Sequence, residues 1–296
     1  MKLHGVLAPV VTPFAASGEL DLDGFRANLR AHMAAGVSGI VVTGSTGEAA
    51  LLDDVERQAL VEAARATVPL DVPLIVGTGA ESTRATIART KNADNWGADA
   101  ALVVAPHYYG DQMNEAAVRE HFERVADASA IPIMLYTIPK YMHFAITPEV
   151  VLALSMHENI IGMKDSSGDA ALFTRYLEAK SGQFQVLTGS GTLWREALRL
   201  GADGGILAVS LFAPALALDV LEAVTRSDHA AADSAQAMLA PLASKIVGVM
   251  GVAGVKRALD AVGLRGGVPR PPLMPLAAPA EQLLEELLAG AQLTAV

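Results

Sequence analysis

The sequence predicts an α/β protein of the (β/α)8 barrel class, with additional helices after the barrel. Short apolar, β-rich runs alternate with amphipathic stretches, and this alternation occurs eight times at intervals of about 20–35 residues. No low-complexity segment or linker divides the first ~225 residues. Repeated βα units form a parallel sheet, and eight of them close into a barrel.

Seven of the eight predicted strands end at Gly, Pro or Ser, and the first ends at Phe14. In chain order they are GVLAPVVTPF (5–14), GIVVTGS (39–45), PLIVGTG (73–79), AALVVAP (100–106), PIMLYTIP (132–139), IIGMKDSS (160–167), FQVLTGS (184–190) and GGILAVS (204–210). Amphipathic helical patterns lie between them, for example at 53–68, 114–129 and 192–201. A doubly wound open sheet is the alternative, but it usually has fewer strands, and no G-x-G-x-x-G follows the first strand.

Further helical patterns follow the eighth unit, at 229–250, 254–262 and 279–290. A Pro-rich turn, GGVPRPPLMP, separates the last two. We therefore predict a barrel over residues 1–225 and a helical extension over residues 226–296 that packs on the barrel.

Composition excludes several classes of protein. The 296 residues carry a formal net charge of −10, which argues against nucleic acid or an anionic membrane as a partner. No apolar run of ~18 residues and no signal-peptide pattern is visible, so we expect a cytoplasmic protein. Cysteine is absent, and the seven histidines show no ligand spacing, so we expect no metal and no cofactor.

Lys164 is the most informative residue, because a lysine at the end of an apolar strand needs a reason. Active sites of such barrels lie at the carboxyl ends of the strands. Other polar candidates at these ends are Tyr136 after strand five, Ser45 and Thr46 after strand two, Tyr108 after strand four, and Gly189 and Ser190 after strand seven. Lys164 and Tyr136 belong to neighbouring strands, so we expect their side chains to converge.

These residue types fit carbonyl chemistry. Desolvation favours the neutral amine of a lysine, which attacks carbonyl carbons and forms an imine. A tyrosine hydroxyl can shuttle the protons that imine chemistry moves. The segment GSTGE (44–48) offers two hydroxyls and a run of backbone N–H groups, a nest that would bind a carboxylate. The combination indicates a 2-oxo acid.

Each feature taken alone has a simpler interpretation. A strand-end lysine can extend its ammonium into water. GSTGE can be a turn before a helix, Tyr136 a barrel filler, and PHYYGD (106–111) a loop of packed aromatic rings. The conjunction of all four at the same end of the barrel favours the catalytic interpretation.

The chain resembles the dihydrodipicolinate synthase / N-acetylneuraminate lyase family of class I, Schiff-base-forming aldolases, from about residue 5 to about residue 290. The resemblance rests on TPF (12–14), GSTGE (44–48), GTGA (77–80), PHYYG (106–110), LYTIP (135–139), GMKDSSGD (162–169) and GVKRAL with the later glycine (254–263). It implies a TIM barrel with C-terminal helices and a homotetramer built as a dimer of dimers.

The resemblance also implies roles for individual residues. Lys164 would be the imine lysine and Tyr136 the proton shuttle. The hydroxyls of Ser45 and Thr46 would hold the pyruvate-derived carboxylate and relay protons, which makes Ser45 a catalytic residue. Tyr108 would join the proton relay and reach across the dimer interface. The strand-eight backbone near Leu207 would line the carboxylate pocket. From their places at the ends of strands six and seven, we also expect Gly189, Ser166 and Ser190 to contact the substrate.

Departures from the family pattern bear on the substrate. Where the synthases have an arginine for the semialdehyde's carboxylate, this chain has Tyr141, with Lys140 beside it. Where the sialic acid lyases have an acidic pair, it has Gly191 and Thr192. The sequence looks most like the 4-hydroxy-2-oxoglutarate aldolase branch, which predicts cleavage of a small 4-hydroxy-2-oxo acid to pyruvate and an aldehyde.

Three other functions remain open at this point. The same scaffold supports 4-hydroxy-tetrahydrodipicolinate synthesis, and it also supports aldol cleavage or dehydration of a 2-keto-3-deoxy-sugar acid. A non-catalytic sensor of keto acids would need the carboxylate nest but no reactive Lys164.

Overall fold

The computed structural model, which describes residues 1–293, is a closed barrel of eight parallel strands in chain order. The fold prediction is therefore confirmed. The strands are β1 Gly5–Pro9, β2 Gly39–Val42, β3 Leu74–Gly77, β4 Ala100–Val104, β5 Ile133–Thr137, β6 Ile160–Asp165, β7 Gln185–Thr188 and β8 Gly204–Ile206.

Helices follow the strands around the outside of the barrel. They are α1 Leu22–Ala34, α2 Asp54–Arg65, α3 Thr83–Asn95, α4 Glu115–Asp127, α5 Pro139–Met142, α6 Pro148–Leu154, α7 Ala170–Tyr176, α8 Trp194–Leu200 and α9 Pro214–Thr225. The extension contributes α10 His229–Pro241, a π-helical segment Leu242–Met250, α11 Gly251–Ala261 and α12 Ala278–Gly290.

Polar side chains fix where several helices begin. Asp53 and Glu56 form a reciprocal capping box at the start of α2. Ser82, Asn114 and Asp169 accept from backbone N–H groups at the starts of α3, α4 and α7. These caps satisfy backbone N–H groups that would otherwise lack partners, and they fix the residue at which each helix begins.

Nearly every strand residue is buried, because the strands are covered by side chains inside the barrel and by helices outside. The register between β5 and β6 pairs Tyr136 directly with Lys164 and Thr137 with Asp165. Successive strand residues point to opposite faces, so Lys164 and Ser166 share one face while Asp165 takes the other.

The extension has one feature that the sequence did not predict. We expected separate helices at 229–250 and 254–262, and the helical stretch from His229 to Ala261 does leave helical geometry at Gly251, which has φ +65°. The unexpected feature is the π-helical segment that precedes this glycine. By length and composition alone the stretch from His229 to Ala261 could span a membrane. Leu239, Leu242 and Ile246 are buried in the core that it shares with the barrel, so we interpret it as part of the folded domain.

Candidate active site

A cavity of about 410 Å³ opens at the carboxyl ends of the strands, as the barrel class predicts. One wall comes from β2, β5, β6 and β7 with the loops that follow them. The opposite wall comes from the extension. Six polar residues that the sequence analysis proposed for the site line this cavity: Ser45, Thr46, Tyr136, Lys164, Ser166 and Ser190.

Lys164 and Tyr136 converge inside this cavity, as expected for neighbouring strands. The Lys164 Nζ lies 4.4 Å from the centroid of the Tyr136 ring. Lys164 is 6% exposed and Tyr136 is also buried. Among the ion pairs of residues 1–293, none involves Lys164. The lysine is therefore held by burial and by an aromatic ring rather than by a carboxylate.

Gly189 is required by the close approach of β6 and β7. A Cβ at Gly189 would lie 2.8 Å from Cε of Lys164 and 2.0 Å from Oγ of Ser166. Both distances are shorter than real side chains tolerate. The missing side chain thus leaves room for the lysine in its present position.

The turn Gly44–Glu48 carries Ser45 and Thr46 to the cavity, but it is not the nest that we expected. The N–H groups of Gly47 and Ala49 donate to the Gly44 carbonyl at 3.0 and 3.2 Å, and that of Glu48 donates to the Ser45 carbonyl at 3.2 Å. The tight turn therefore engages its own donors. What remains for a carboxylate is the part of the turn at Ser45 and Thr46, which lines the cavity.

Asp165 supports the loop after β6 from the side opposite to Lys164. It is buried and accepts from the backbone N–H and the hydroxyl of Ser167, each at 2.9 Å. Burial raises the pKa of Asp165 to about 6, while the two bonds from Ser167 oppose that rise. Ser167 itself lines the cavity, so Asp165 fixes part of the wall without touching the space inside.

Two residues implied by the resemblance do not line the cavity. Leu207 is fully buried just after β8, and its neighbours Ile206 and Ala208 provide that part of the wall. Tyr108 is 77% exposed on the loop after β4. The Glu81 carboxylate holds this loop, because it accepts from the backbone N–H groups of His107 and Tyr108 at 2.9 and 2.8 Å.

The cavity mouth contains residues whose contribution the sequence did not predict. They belong to the π-helical segment and α11, namely Ala243, Ser244, Val247, Gly248, Gly251, Val252 and Val255. The Lys140 ammonium donates to the Gly248 carbonyl at 2.7 Å, so α5 and this segment meet across the mouth. Tyr141 also lines the cavity, and burial raises the pKa of its phenol. The hydrophobic pattern of residues 242–255 predicts a helix. It does not predict which strand ends that helix covers.

No cluster of histidine, aspartate and glutamate side chains suited to a metal ion occurs within residues 1–293. The prediction that the protein needs no metal stays a prediction, and its test is activity in the presence of a chelator.

Comparison with known proteins identifies the family. The sequence profile of the Dihydrodipicolinate synthetase family matches residues 2–291. The chain belongs to this family. Dihydrodipicolinate synthetase family proteins are class I, pyruvate-dependent lyases, so the prediction of an enzyme of this class is confirmed and the non-catalytic sensor is disfavoured.

Curated relatives of this family member carry one recurring name. A 4-hydroxy-tetrahydrodipicolinate synthase of Methanothrix thermoacetophila is 35% identical over 286 residues, which is 96% of each chain. A protein of the same name from Xanthomonas campestris pv. campestris is 35% identical over 291 residues, covering 98% of this chain and 95% of the relative. These names do not support the 4-hydroxy-2-oxoglutarate aldolase branch.

Solved structures agree with the family assignment. A dihydrodipicolinate synthase from Bacillus anthracis superposes with a TM-score of 0.94 at 30% identity, covering 98% of this chain and 99% of the other. YagE, a prophage protein of the dihydrodipicolinic acid synthase family from E. coli K12, gives 0.92 at 33% identity with the same coverage. The YagE structure is a complex with pyruvate.

Proposed function

We propose that Lys164 forms an imine with the keto carbon of pyruvate or of a pyruvate-derived acid. The single observation that carries this proposal is the buried Lys164 Nζ at the cavity wall, 4.4 Å from the Tyr136 ring centroid. The amine nitrogen attacks C2, the carbonyl oxygen leaves as water, and the C2–N double bond forms. The imine then accepts the electron pair of a bond to C3 when that bond breaks.

Tyr136 is the proposed proton shuttle for both halves of this reaction. Tyr136 gives its proton to the hydroxyl that leaves as water during imine formation. In the cleavage direction the deprotonated Tyr136 oxygen then takes the C4 hydroxyl proton, the C3–C4 bond breaks and an aldehyde departs, and the regained proton is available for C3. The electron pair stays on C3 as an enamine, which takes a proton to give the pyruvate imine, and water releases pyruvate. The condensation direction runs the same steps backwards.

Ser45 and Thr46 are the proposed holders of the C1 carboxylate. Their turn faces the same cavity as Lys164, and hydroxyl and backbone donors can bind a carboxylate without a second cation. Ser166, Gly189 and Ser190 line the same cavity. The proposal needs only residues of one chain for this pocket, with Tyr108 reserved for the neighbouring copy.

Cleavage of a short 4-hydroxy-2-oxo acid, with 4-hydroxy-2-oxoglutarate as the first substrate, is our proposed reaction. The cations that line the cavity within residues 1–293 are Lys140 and Lys164, and none of the lining residues is an arginine. Lys140 offers a point charge for a distal carboxylate, although its ammonium also bonds the Gly248 carbonyl. A point charge orients a carboxylate less strictly than an arginine fork, so tolerance for other small aldehydes should follow.

The second candidate is 4-hydroxy-tetrahydrodipicolinate synthesis by condensation of pyruvate with aspartate semialdehyde. The names of the relatives favour this candidate over the first. Against it stands Tyr141 at the position where the resemblance places the synthase's arginine. The two reactions share the imine and differ in the aldehyde.

A comparison of kcat/KM values separates the two candidates. The panel contains 4-hydroxy-2-oxoglutarate cleavage, cleavage of a 2-keto-3-deoxy-hexonate, sialic acid cleavage and the semialdehyde condensation. We expect 4-hydroxy-2-oxoglutarate to lead the panel. Condensation at least tenfold more efficient than every cleavage would overturn the first candidate and establish the second, while leaving the Lys164 imine intact.

A further inference from the structure

A buried ion pair joins the turn that carries Ser45 and Thr46 to the C-terminal extension. The Lys256 ammonium, from α11, contacts the Oε1 of Glu48, the last residue of the turn. The side chains are 1% and 0% exposed. Burying charges at this depth costs free energy unless the charges are paired and hydrogen-bonded.

The surroundings of the pair are also built from the extension. Lys256 donates a second bond to the Val268 carbonyl at 2.7 Å, and the Arg270 backbone N–H donates to Oε2 of Glu48 at 2.8 Å. The Phe14 ring lies near both cations, 4.5 Å from the Lys256 ammonium and 4.0 Å from the Arg270 guanidinium carbon. Glu48 is thus held by two separate parts of the extension.

Glu48 needs this support because its backbone is in the left-handed region, at φ +58°. Non-glycine residues adopt that conformation infrequently and at a cost in free energy, which surrounding contacts must offset. The Thr12 hydroxyl, which donates to the Gly47 carbonyl at 2.7 Å, is another fixed point of the turn. If the bonds from Lys256 and Arg270 to Glu48 were lost, we expect the turn to change conformation and to displace Ser45 and Thr46.

The helix that supplies Lys256 also forms the cavity wall. Val252 and Val255, one turn and one residue before Lys256, line the same cavity as Ser45 and Thr46. The helix α11 therefore lines the cavity and also, through Lys256, contacts the turn that carries Ser45 and Thr46.

We propose that the Glu48–Lys256 pair is a positioning device for the carboxylate pocket, with Lys256 acting on the substrate only through Glu48 and the turn. This inference rests on the proposed function. It predicts that loss of the pair weakens capture of the 2-oxo acid more than it slows the chemistry. Lys164 and Tyr136 stand on other strands and keep their places.

The test compares Glu48→Gln and Lys256→Met with wild type. Both variants keep the approximate length of the side chain and remove its charge, and Glu48→Gln also keeps an acceptor for the Arg270 N–H. Asn28→Ala is the matched control. Asn28 is buried and bonds Arg265 of the extension twice, at 2.7 and 2.9 Å, without contacting the turn.

The readouts are the pyruvate concentration for half-maximal borohydride trapping, the maximal trapping rate and the Tm. We expect the half-maximal concentration to rise at least tenfold in Glu48→Gln and Lys256→Met, with a maximal rate within threefold of wild type. Asn28→Ala should lower the Tm yet change the half-maximal concentration less than twofold. If Lys256→Met fails to fold, Glu48→Gln alone decides.

An unchanged half-maximal concentration in Glu48→Gln would overturn the positioning role while the proposed function stands. A parallel rise in Asn28→Ala would also overturn it, since general loosening of the extension would then explain the effect. Failure of wild type to trap pyruvate would overturn the proposed function and this inference with it.

Discussion

Lys164 and Tyr136 are direct register partners on β6 and β5, and the Lys164 Nζ lies 4.4 Å from the Tyr136 ring centroid. This relationship follows from strand pairing, because residues that pair across parallel strands put their side chains on the same face of the sheet. A rigid sheet therefore fixes the distance between the proposed nucleophile and the proposed proton shuttle. A fixed distance favours catalysis, because a small misplacement of a reacting group lowers the rate.

Tyr136→Phe tests the shuttle. The ring remains beside Lys164, so the variant should fold with an unchanged Tm. Turnover should fall ~10²–10⁴-fold, the usual cost of removing a positioned proton donor. Circular dichroism and steady-state kinetics measure the two quantities. Turnover close to wild type would reduce Tyr136 to a packing residue.

Gly189→Ala tests the close approach of β6 and β7. A methyl group at this position would meet Cε of Lys164 at 2.8 Å and Oγ of Ser166 at 2.0 Å, so both must move. We expect about a 10²-fold loss in kcat/KM, the scale expected for a small misplacement of a reacting group. Gly182→Ala is the control, because a Cβ there meets nothing within 4 Å. Equal activity in the two variants would contradict the prediction.

We expect Asp165 to make a pH-dependent contribution to the stability of the fold. Its pKa is about 6 in the folded chain and 3.8 without burial, so the folded state binds the proton more tightly. Linkage then requires that this group's contribution to the free energy of unfolding is present below about pH 4 and is lost as the pH rises to about 6.

Urea unfolding of wild type and Asp165→Asn at several pH values between 4 and 7 measures this contribution. Asparagine cannot titrate, so the stability difference between the two proteins should change in favour of the variant as the pH rises through this window. A difference that is constant with pH would show that the folded-state pKa of Asp165 is not raised.

The position of Tyr108 leads us to expect that activity depends on association of at least two copies of the chain. Tyr108 is 77% exposed and lies outside the cavity, so any role in catalysis requires a neighbouring copy of the chain. We expect Tyr108→Phe to lose activity while Tyr109→Phe, its 67% exposed neighbour, does not. Light scattering at assay concentrations should show at least a dimer. A fully active monomer would remove Tyr108 from the site.

The sequence was sufficient for the barrel because apolar strands and amphipathic helices alternate with a regular period. It also placed Lys164, Tyr136, Ser45 and Ser190 at one cavity, since the carboxyl ends of parallel strands meet at one end of a barrel. Two features escaped it. The turn at Gly44–Glu48 engages its own N–H groups, which depends on exact dihedral angles. The extension forms the cavity wall and buries Lys256 against Glu48, a contact between residues far apart in the chain.

The central claim is that Lys164 forms the imine. The most direct measurement is to treat the protein with pyruvate and sodium borohydride and to locate the adduct by intact-protein and peptide mass spectrometry. We predict one reduced pyruvate adduct per chain, on Lys164, which persists in Lys140→Met and disappears in Lys164→Met. An adduct on Lys140 or on another lysine, or no adduct at all, would contradict the account.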